Sequence, residues 1–318
     1  MGNLYCGFAE TDITPEPGHH FLDGYGFRMG PAEGVRDHLY ARICAMKDGE
    51  NRFVLISMDV CSMAGEMGRR MRMMIRGLTG LRDEEFAVCA THTHAAPGVG
   101  CLGDVPTNWI YWKHVAIQIS ETVKEALDSV CAGEFRFAFG KELKNIYNRR
   151  GRDVVDRRVF AAGFFDEDNR LRGVIGSPSC HCVCNVSMDI SADYPAVLAA
   201  RAAERYPGVP FLFLQGRGAD IDPIAKGEEG LLALGNEYAE SVFSALEEMK
   251  DSVVKEGPVK SLFRTIRIPL SYPTREELED GLAKAKEEVF GAESAQDRRF
   301  AETDLFWFMK SLSDLEAG

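Results

Sequence analysis

Two of the chain's seven histidines, His92 and His94, stand two residues apart in the stretch "FAVCATHTHAAPGVG". An apolar run before them predicts a β-strand, and the proline and glycine after them predict its end. Residues i and i+2 of a strand face the same way, so both imidazoles are expected on one face, about 7 Å apart, with Thr91 and Thr93 on the other. Two imidazoles there either share a metal ion or divide metal binding and hydrogen bonding to a substrate between them. Packed or solvated histidines at the start of a loop explain the same spacing, so the pair alone leaves both readings open.

Acidic residues and a third histidine follow other predicted strands. Asp59 ends "FVLISMD", and it would share an edge with His92 if the two strands run parallel; a helix N-cap explains it equally well. Asp220 and Asp222 follow a buried strand in "QGRGADIDP", where turn chemistry is the alternative. Because ligands of open α/β sheets gather at the carboxyl ends of strands, these side chains are metal-ligand or catalytic candidates.

The third histidine, His181, lies in "SPSCHCVCNV" between alternating cysteines. Cys180, Cys182 and Cys184 share one face and lack the CxxC spacing of a structural zinc site, so they are interpreted as small core residues. A lone histidine opposite them is more often a core residue with its hydrogen bonds satisfied than a ligand.

The segments around these residues predict the elements that must position them. Strands are predicted over "LYCGFAETDITP", "EEFAVCATH", "EFRFAFGKE", "PFLFLQG" and "SLFRTIRIPL", and hairpins over "LYARICAMKDGENRFVLISMDV" and "RRVFAAGFFDEDNRLRGVIGSPSCHC". Helices are predicted over "GEMGRRMRMMIRGLTG", "YWKHVAIQISETVKEALDSV", "YPAVLAARAAERY", "GNEYAESVFSALEEMK", "TREELEDGLAKAKEEVF" and "AQDRRFAETDLFWFMKSL". This mixture predicts an α/β fold in which a mixed β-sheet is flanked by helices on its faces, with the active site at the C-terminal ends of the strands.

Four local signals refine this outline. Asp48 and Gly49 supply the turn of the first hairpin, and Thr274 and Glu277 have capping-box spacing. The continuous apolar run "PFLFLQG" is typical of a strand in the middle of a sheet. A composition shift at "EGPVK" predicts a main domain over residues 1–255 and a strand–helix–helix extension of it over 256–318.

The overall composition restricts the partners. A formal net charge of −12 disfavours nucleic-acid binding, and no apolar run approaches the length of a transmembrane helix. The nine cysteines lack framework spacing and the first residues lack signal-peptide order, so reduced thiols in the cytoplasm are expected. These features favour a small-molecule substrate and leave the oligomeric state open.

Several motifs, in order, resemble the neutral/alkaline ceramidase family in the N-terminal domain of its bacterial members. They are "TDITP", "GYG", "GPAEGVRDHLYARI", "FVLISMDV", "ATHTHAAPG", "CHC", "ISADYP" and "FLQGRGADIDP". The resemblance implies a zinc-dependent amidase site in which His92 and His181 bind Zn²⁺ and His94 polarises a substrate oxygen. It also places Arg149, in "YNRRG", at the site, where a guanidinium can bind a carboxylate or an oxyanion.

The chain departs from the family pattern at two places. The family's Gly-Asp-Val-Ser-Pro element carries a serine assigned as nucleophile, and here Asp222 occupies that serine's position. No stretch of this chain matches the later segment that supplies the family's glutamate and tyrosine ligands, so Asp59, Asp193 and Asp220 are the candidates for a third ligand, Asp193 being favoured instead as a helix N-cap. The sequence therefore predicts a zinc-dependent hydrolase of an amide or related bond, with ceramide itself in doubt. The alternative is a catalytically degenerate family member that acts as a small-molecule binding or regulatory protein.

Overall fold

The computed structural model describes residues 4–25, 28, 30–63, 65–98, 107–249, 259–269 and 271–317. The described residues fall into two compact units: one comprises residues up to 24 and 30–263, and the other comprises Tyr25, Arg28 and residues 264–317. The strands are β1 (Leu4–Asp12), β2 (Gly34–Val35), β3 (Tyr40–Asp48), β4 (Asn51–Met58), β5 (Phe86–Ala90), β6 (Cys131–Phe139), β7 (Ile146–Asn148), β8 (Phe160–Asp166), β9 (Leu171–Ser177), β10 (Asp189–Ile190), β11 (Phe211–Phe213) and β12 (Ile221–Pro223). The helices are α1 (Gly65–Thr79), α2 (Trp109–Asp128), α3 (Tyr194–Arg205), α4 (Gly227–Met249), α5 (Arg275–Gly291) and α6 (Ala295–Ala317).

The larger unit is built on an eight-stranded mixed sheet in the order β11-β9-β8-β6-β1-β3-β4-β5. Its hairpins are antiparallel, whereas β4 pairs with β5, and β9 with β11, in parallel. The first hairpin turns at Asp48 and Gly49, and Gly49 has a φ of 57°, which its missing Cβ permits at no steric cost. The predicted mixed sheet is therefore confirmed.

Helices cover the two halves of this sheet separately. The pair α1 and α2 packs over β1, β3 and β4. The largest apolar cluster lies between these helices and strands, and it includes the buried side chains Met71 and Trp112. The pair α3 and α4 covers β6, β8 and β11 over a second cluster that contains Cys180, Cys182 and Cys184. The three alternating cysteines are core residues, as their spacing indicated.

The sheet coils until its two halves face each other. A small inner cluster of Cys44, Ala162, Ile175 and Leu212 lies between the halves, and Ser57 of β4 donates a hydrogen bond of 2.5 Å to the carbonyl of Phe213 in β11. The prediction that "PFLFLQG" lies in the middle of the sheet is wrong, because β11 is a terminal strand. It is buried because the coiled sheet brings β3 and β4 against it and α3 covers it.

In the smaller unit α5 and α6 pack as an antiparallel pair. Arg275, at the start of α5, approaches Glu316, near the end of α6, at 3.5 Å. The predicted capping box is confirmed, since Thr274 and Glu277 exchange side-chain and backbone hydrogen bonds at the start of α5. The predicted strand over "SLFRTIRIPL" is wrong for its described part: residues 261–269 form no strand. The division at residue 255 stays a prediction.

Candidate metal centre

The histidine pair lies just beyond the end of a strand. Strand β5 ends at Ala90, opposite Met58 of parallel β4, and His92 has a φ of 69°. The prediction that His92 and His94 extend the strand is therefore wrong, because a left-handed residue cannot continue its alternation. The two rings nevertheless lie together, with their Nε2 atoms 3.3 Å apart and their centroids 4.8 Å apart. A left-handed non-glycine residue costs about 1–3 kcal/mol, a strain typical of functional sites.

Hydrogen bonds to both halves of the sheet hold this loop. The amide of His92 donates to the carbonyl of Val60, at 3.0 Å, on the segment that follows β4. The amide of His94 donates to the carbonyl of Cys182, at 3.1 Å, on the segment that follows β9. Thr93 forms a parallel bridge with Cys182, so the segments beyond β5 and β9 run side by side.

That contact brings His181 to the pair. Its ring centroid lies 4.7 Å from that of His92 and 5.8 Å from that of His94. His181 is buried, and its amide donates to the carbonyl of Ile221 at 2.9 Å. Three of the chain's seven histidines therefore converge beyond the C-terminal ends of β5 and β9.

Main-chain carbonyls fix the proton positions on two of these rings. Nδ1 of His92 lies 2.6 Å from the carbonyl oxygen of Cys61, and Nδ1 of His181 lies 2.5 Å from that of Gly218. A carbonyl oxygen only accepts, so each Nδ1 carries the hydrogen and each Nε2 keeps its lone pair. Metal-binding histidines in proteins are oriented in this way.

The pKa of His181 also favours a neutral ring. Burial lowers the pKa of His181 below its ordinary value, and the neighbouring His92 lowers it further. A neutral imidazole is the form that binds a metal ion.

A second donor combination shares His92. One ligand atom each from Cys61, His92 and His94 lie within 4.8 Å of one another, and Sγ of Cys61 is 3.9 Å from Nδ1 of His92. Nδ1 of His92 carries the hydrogen that it donates to the carbonyl of Cys61, so it has no lone pair to share with an ion at that sulfur. The remaining lone pairs are on Nε2 of His92 and Nε2 of His181, whose ring centroids lie 4.7 Å apart. Imidazole nitrogens suit Zn²⁺, although catalytic zinc usually has three protein ligands.

Arg149 and Asp222 are neighbours of His181. Strands β7 and β12 pair antiparallel, and the amide of Arg149 donates to the carbonyl of Asp220 at 2.9 Å. Nη1 of Arg149 lies 3.5 Å from Oδ1 of Asp222, and that oxygen lies 3.8 Å from Nδ1 of His181. Oδ1 of Asp222 is buried and accepts no hydrogen bond from any described residue. This oxygen therefore has unused hydrogen-bonding capacity, but it is buried and Asp222 does not line the adjacent cavity.

The remaining predicted acidic residues have other partners. The carboxylate of Asp59 accepts hydrogen bonds from the amide of Tyr40 and from Arg42, and it is fully buried on the side of β3. Asp220 accepts from Asn148 at 3.0 Å. Asp193 accepts from the amide of Tyr194 at the start of α3, which is the predicted N-cap. No contact of these three carboxylates supports a metal-ligand role, which stays an untested prediction for Asp59 and Asp220.

Three contributors could not be identified from their residue types. Cys61 supplies a carbonyl and a thiol, and Gly218 supplies a carbonyl; neither backbone atom leaves a signature in the sequence. Gly24, in the quoted "GYG", has a φ of 94°, and a Cβ on it would lie 2.4 Å from Cγ of His94. That glycine therefore allows the chain to pack directly on the ring of His94. The motif was visible in the sequence, but its contact was not.

The site opens into a cavity of about 560 Å³. Met63, Val88 and Ala90 form an apolar side, and Arg149 and Gln215 form a polar side. His92 and His181 line the cavity as well, so a molecule in it would contact both rings.

Comparison with known proteins gives a family match for the first part of the chain. Residues 4–140 match the family described as neutral/alkaline non-lysosomal ceramidase, N-terminal. No curated protein sequence matches the chain.

Two solved structures share the fold. One, a ceramidase complexed with C2, superposes with a TM-score of 0.71 at 19% identity. The other, neutral ceramidase from Pseudomonas aeruginosa, superposes with a TM-score of 0.69 at 18% identity. Each match covers 80% of this chain and 46% of the other, so the chain spans about half the length of these proteins. The predicted resemblance to the N-terminal domain of the neutral/alkaline ceramidase family is thus confirmed.

Proposed function

We propose that this protein is a zinc-dependent hydrolase of an amide or related bond. The observation that carries the proposal is the convergence of His92, His94 and His181, two of which have Nδ1 hydrogen-bonded to a main-chain carbonyl and Nε2 left with its lone pair. His92 and His181 would hold the zinc ion. A bound zinc ion would supply Lewis acidity toward a carbonyl oxygen and lower the pKa of water.

The residues around the rings have roles suited to this chemistry. Arg149 presents an exposed guanidinium on the cavity wall, with Nη2 donating to the carbonyl of Ala219 at 2.7 Å. That contact orients the group, and its charge can stabilise an oxyanion or bind a substrate carboxylate. His94 lies beside His92, where it can donate a hydrogen bond to a substrate oxygen.

Asp222 is proposed to orient a water molecule or a substrate N–H group. Its buried Oδ1 faces Arg149 and His181 and accepts no hydrogen bond from the described residues. A carboxylate in this position acts as a base and not as a serine-type nucleophile. This difference favours a small polar amide over ceramide, and a cavity of about 560 Å³ accommodates such a molecule.

The aspartate at position 222 also favours an alternative function. A relative that keeps the ceramidase-like fold but has an aspartate in place of the family's serine could bind a small molecule without turning it over. Among the described residues, no helix has the length and apolarity to cross a bilayer.

A metal-resolved activity screen separates the two possibilities. The full chain, purified with zinc, is assayed against fluorogenic amides of graded acyl-chain length, before and after zinc removal and re-addition. The proposal expects roughly one zinc per chain and hydrolysis that zinc removal abolishes and re-addition restores. His114→Ala is the matched control for His92→Ala and His181→Ala, because His114 is exposed on α2. Ligand-induced thermal stabilisation without turnover of any amide would favour the binding protein instead.

A further inference from the structure

The seam between the two halves of the sheet carries a pair of opposed thiols. Strands β1 and β6 join through only three residue pairs, whereas β1 meets β3 through eight and β6 meets β8 through seven. The last of the three pairs is Cys6 opposite Cys131. This short joint is also the boundary between the half that carries His92 and the half that carries His181.

The geometry of that pair suits a disulfide. Directly opposed residues of antiparallel strands point to the same face with Cα atoms about 4.5–5.5 Å apart, which lies inside the range that a disulfide spans. Sγ of Cys131 lies 3.7 Å from the carbonyl oxygen of Cys6, so this thiol already points across the seam. Both cysteines are unbridged.

A small molecule can reach this pair from one side. Cys6 and Cys131 both line a cavity of about 330 Å³, together with Arg170, Arg172 and Pro207. The cavity lies at the starts of β6 and β9, whereas the candidate metal centre lies beyond the ends of β5 and β9. Cys131 is half-buried and Cys6 is buried, so an incoming reagent meets Cys131 first.

We propose that Cys6 and Cys131 are an oxidation site that closes to a disulfide across the β1–β6 seam. The oxidant is a low-molecular-weight disulfide. The thiolate of Cys131 attacks one of its sulfurs and releases the first small thiolate, which takes up the proton from Cys131. Cys6 then loses its proton and attacks Sγ of Cys131, which releases the second small thiol. One small disulfide is reduced to two thiols, and two cysteines are oxidised to one disulfide.

Cys44 is a third thiol beside this pair. It lies diagonal to Cys6, opposite Phe8, and interacts with the thiol of Cys6 from the inner face of the sheet. It is completely buried and does not line the cavity, so a small disulfide has no route to it. Burial also raises the pKa of the Cys6 thiol, so the second step is expected to be slow at neutral pH.

The test is peptide mapping of the full chain after incubation with oxidised glutathione, without reductant in the digest. A peptide pair joined through Cys6 and Cys131 is expected, together with a rise in Tm of about 5 °C that dithiothreitol reverses. Cys131→Ser is expected to abolish both effects. Cys89→Ser, a matched change at a half-buried cysteine on β5, is expected to retain both.

Three outcomes would overturn the proposal. They are a stable glutathione adduct on Cys131 with no linked peptide, a disulfide that joins other cysteines, and a Tm rise that persists in Cys131→Ser. The mapping of the unsubstituted chain decides the question even if a variant folds poorly. The result of this mapping does not depend on zinc binding or on amide hydrolysis.

Discussion

Replacement of Gly24 by alanine tests whether the close approach of the chain to His94 sets the position of that ring. The new Cβ would lie 2.4 Å from Cγ and 2.6 Å from Nδ1 of His94. Ordinary contacts begin near 3.4 Å, so the ring must retreat by about 1 Å. Overpacking of this kind costs about 1–3 kcal/mol, and the φ of 94° adds about 1–2 kcal/mol for any residue with a Cβ.

Gly18→Ala separates these two contributions. Gly18 has a φ of 84°, and its Cβ would meet no atom within 4 Å, so this variant carries the backbone strain without the clash. In urea unfolding of the zinc-free protein, Gly24→Ala is expected to lose about 1–3 kcal/mol more than Gly18→Ala. A displacement of about 1 Å can also cost roughly a hundredfold in turnover, so amide hydrolysis should fall by about that factor while zinc stays bound. Equal unfolding free energies for the two variants, with unchanged turnover, would refute the reasoning.

Three further outcomes follow from the contacts. Asp59→Ala should destabilise the fold by about 3–5 kcal/mol in urea unfolding, because it leaves Arg42 without its buried partner. The zinc content of this variant should not change; loss of zinc would instead make Asp59 a ligand. Asp222→Asn should lower turnover by about 10²–10⁴-fold and keep zinc, and undiminished hydrolysis would remove Asp222 from the proposed chemistry. Burial acts to raise the pKa of Glu85, but hydrogen bonds, chiefly from Arg52, outweigh it and hold the pKa at about 2. The stability that this carboxylate adds is therefore complete above pH 4.5 and is lost as pH falls toward 2. Glu85→Gln should make the free energy of unfolding depend less on pH over that interval. An unchanged dependence on pH in urea unfolding would contradict this.

Local signals in the sequence predicted local structure well. The Asp48-Gly49 turn, the N-cap at Asp193 and the capping box at Thr274 each depend on residues a few positions apart, and each is present. Apolar periodicity likewise located the six helices and most strands, because burial of one face is a local pattern.

Long-range pairing was not available from the same signals. The alternation in "SLFRTIRIPL" predicts a strand, but no sequence pattern states whether a neighbouring strand exists. The place of β11 at the end of the sheet follows from how the sheet coils, which involves contacts such as that between Ser57 and Phe213. A continuous apolar run predicts that a strand is buried, but it does not predict where that strand lies in the strand order of the sheet.

The candidate site divides in the same way. His92 and His94 were recognisable from residue type and spacing, and His181 only from the resemblance; the structure brings the three rings together. The sequence did not reveal the left-handed backbone of His92 or the carbonyls of Cys61 and Gly218 that orient the rings, because backbone atoms are the same in every residue.

The most direct test is anomalous diffraction at the zinc edge from crystals of the full chain grown with zinc. A common cation held by the predicted imidazoles should give one peak about 2.0–2.1 Å from Nε2 of both His92 and His181. A peak on Sγ of Cys61 and Nδ1 of His92, or no peak near these rings, would contradict the account.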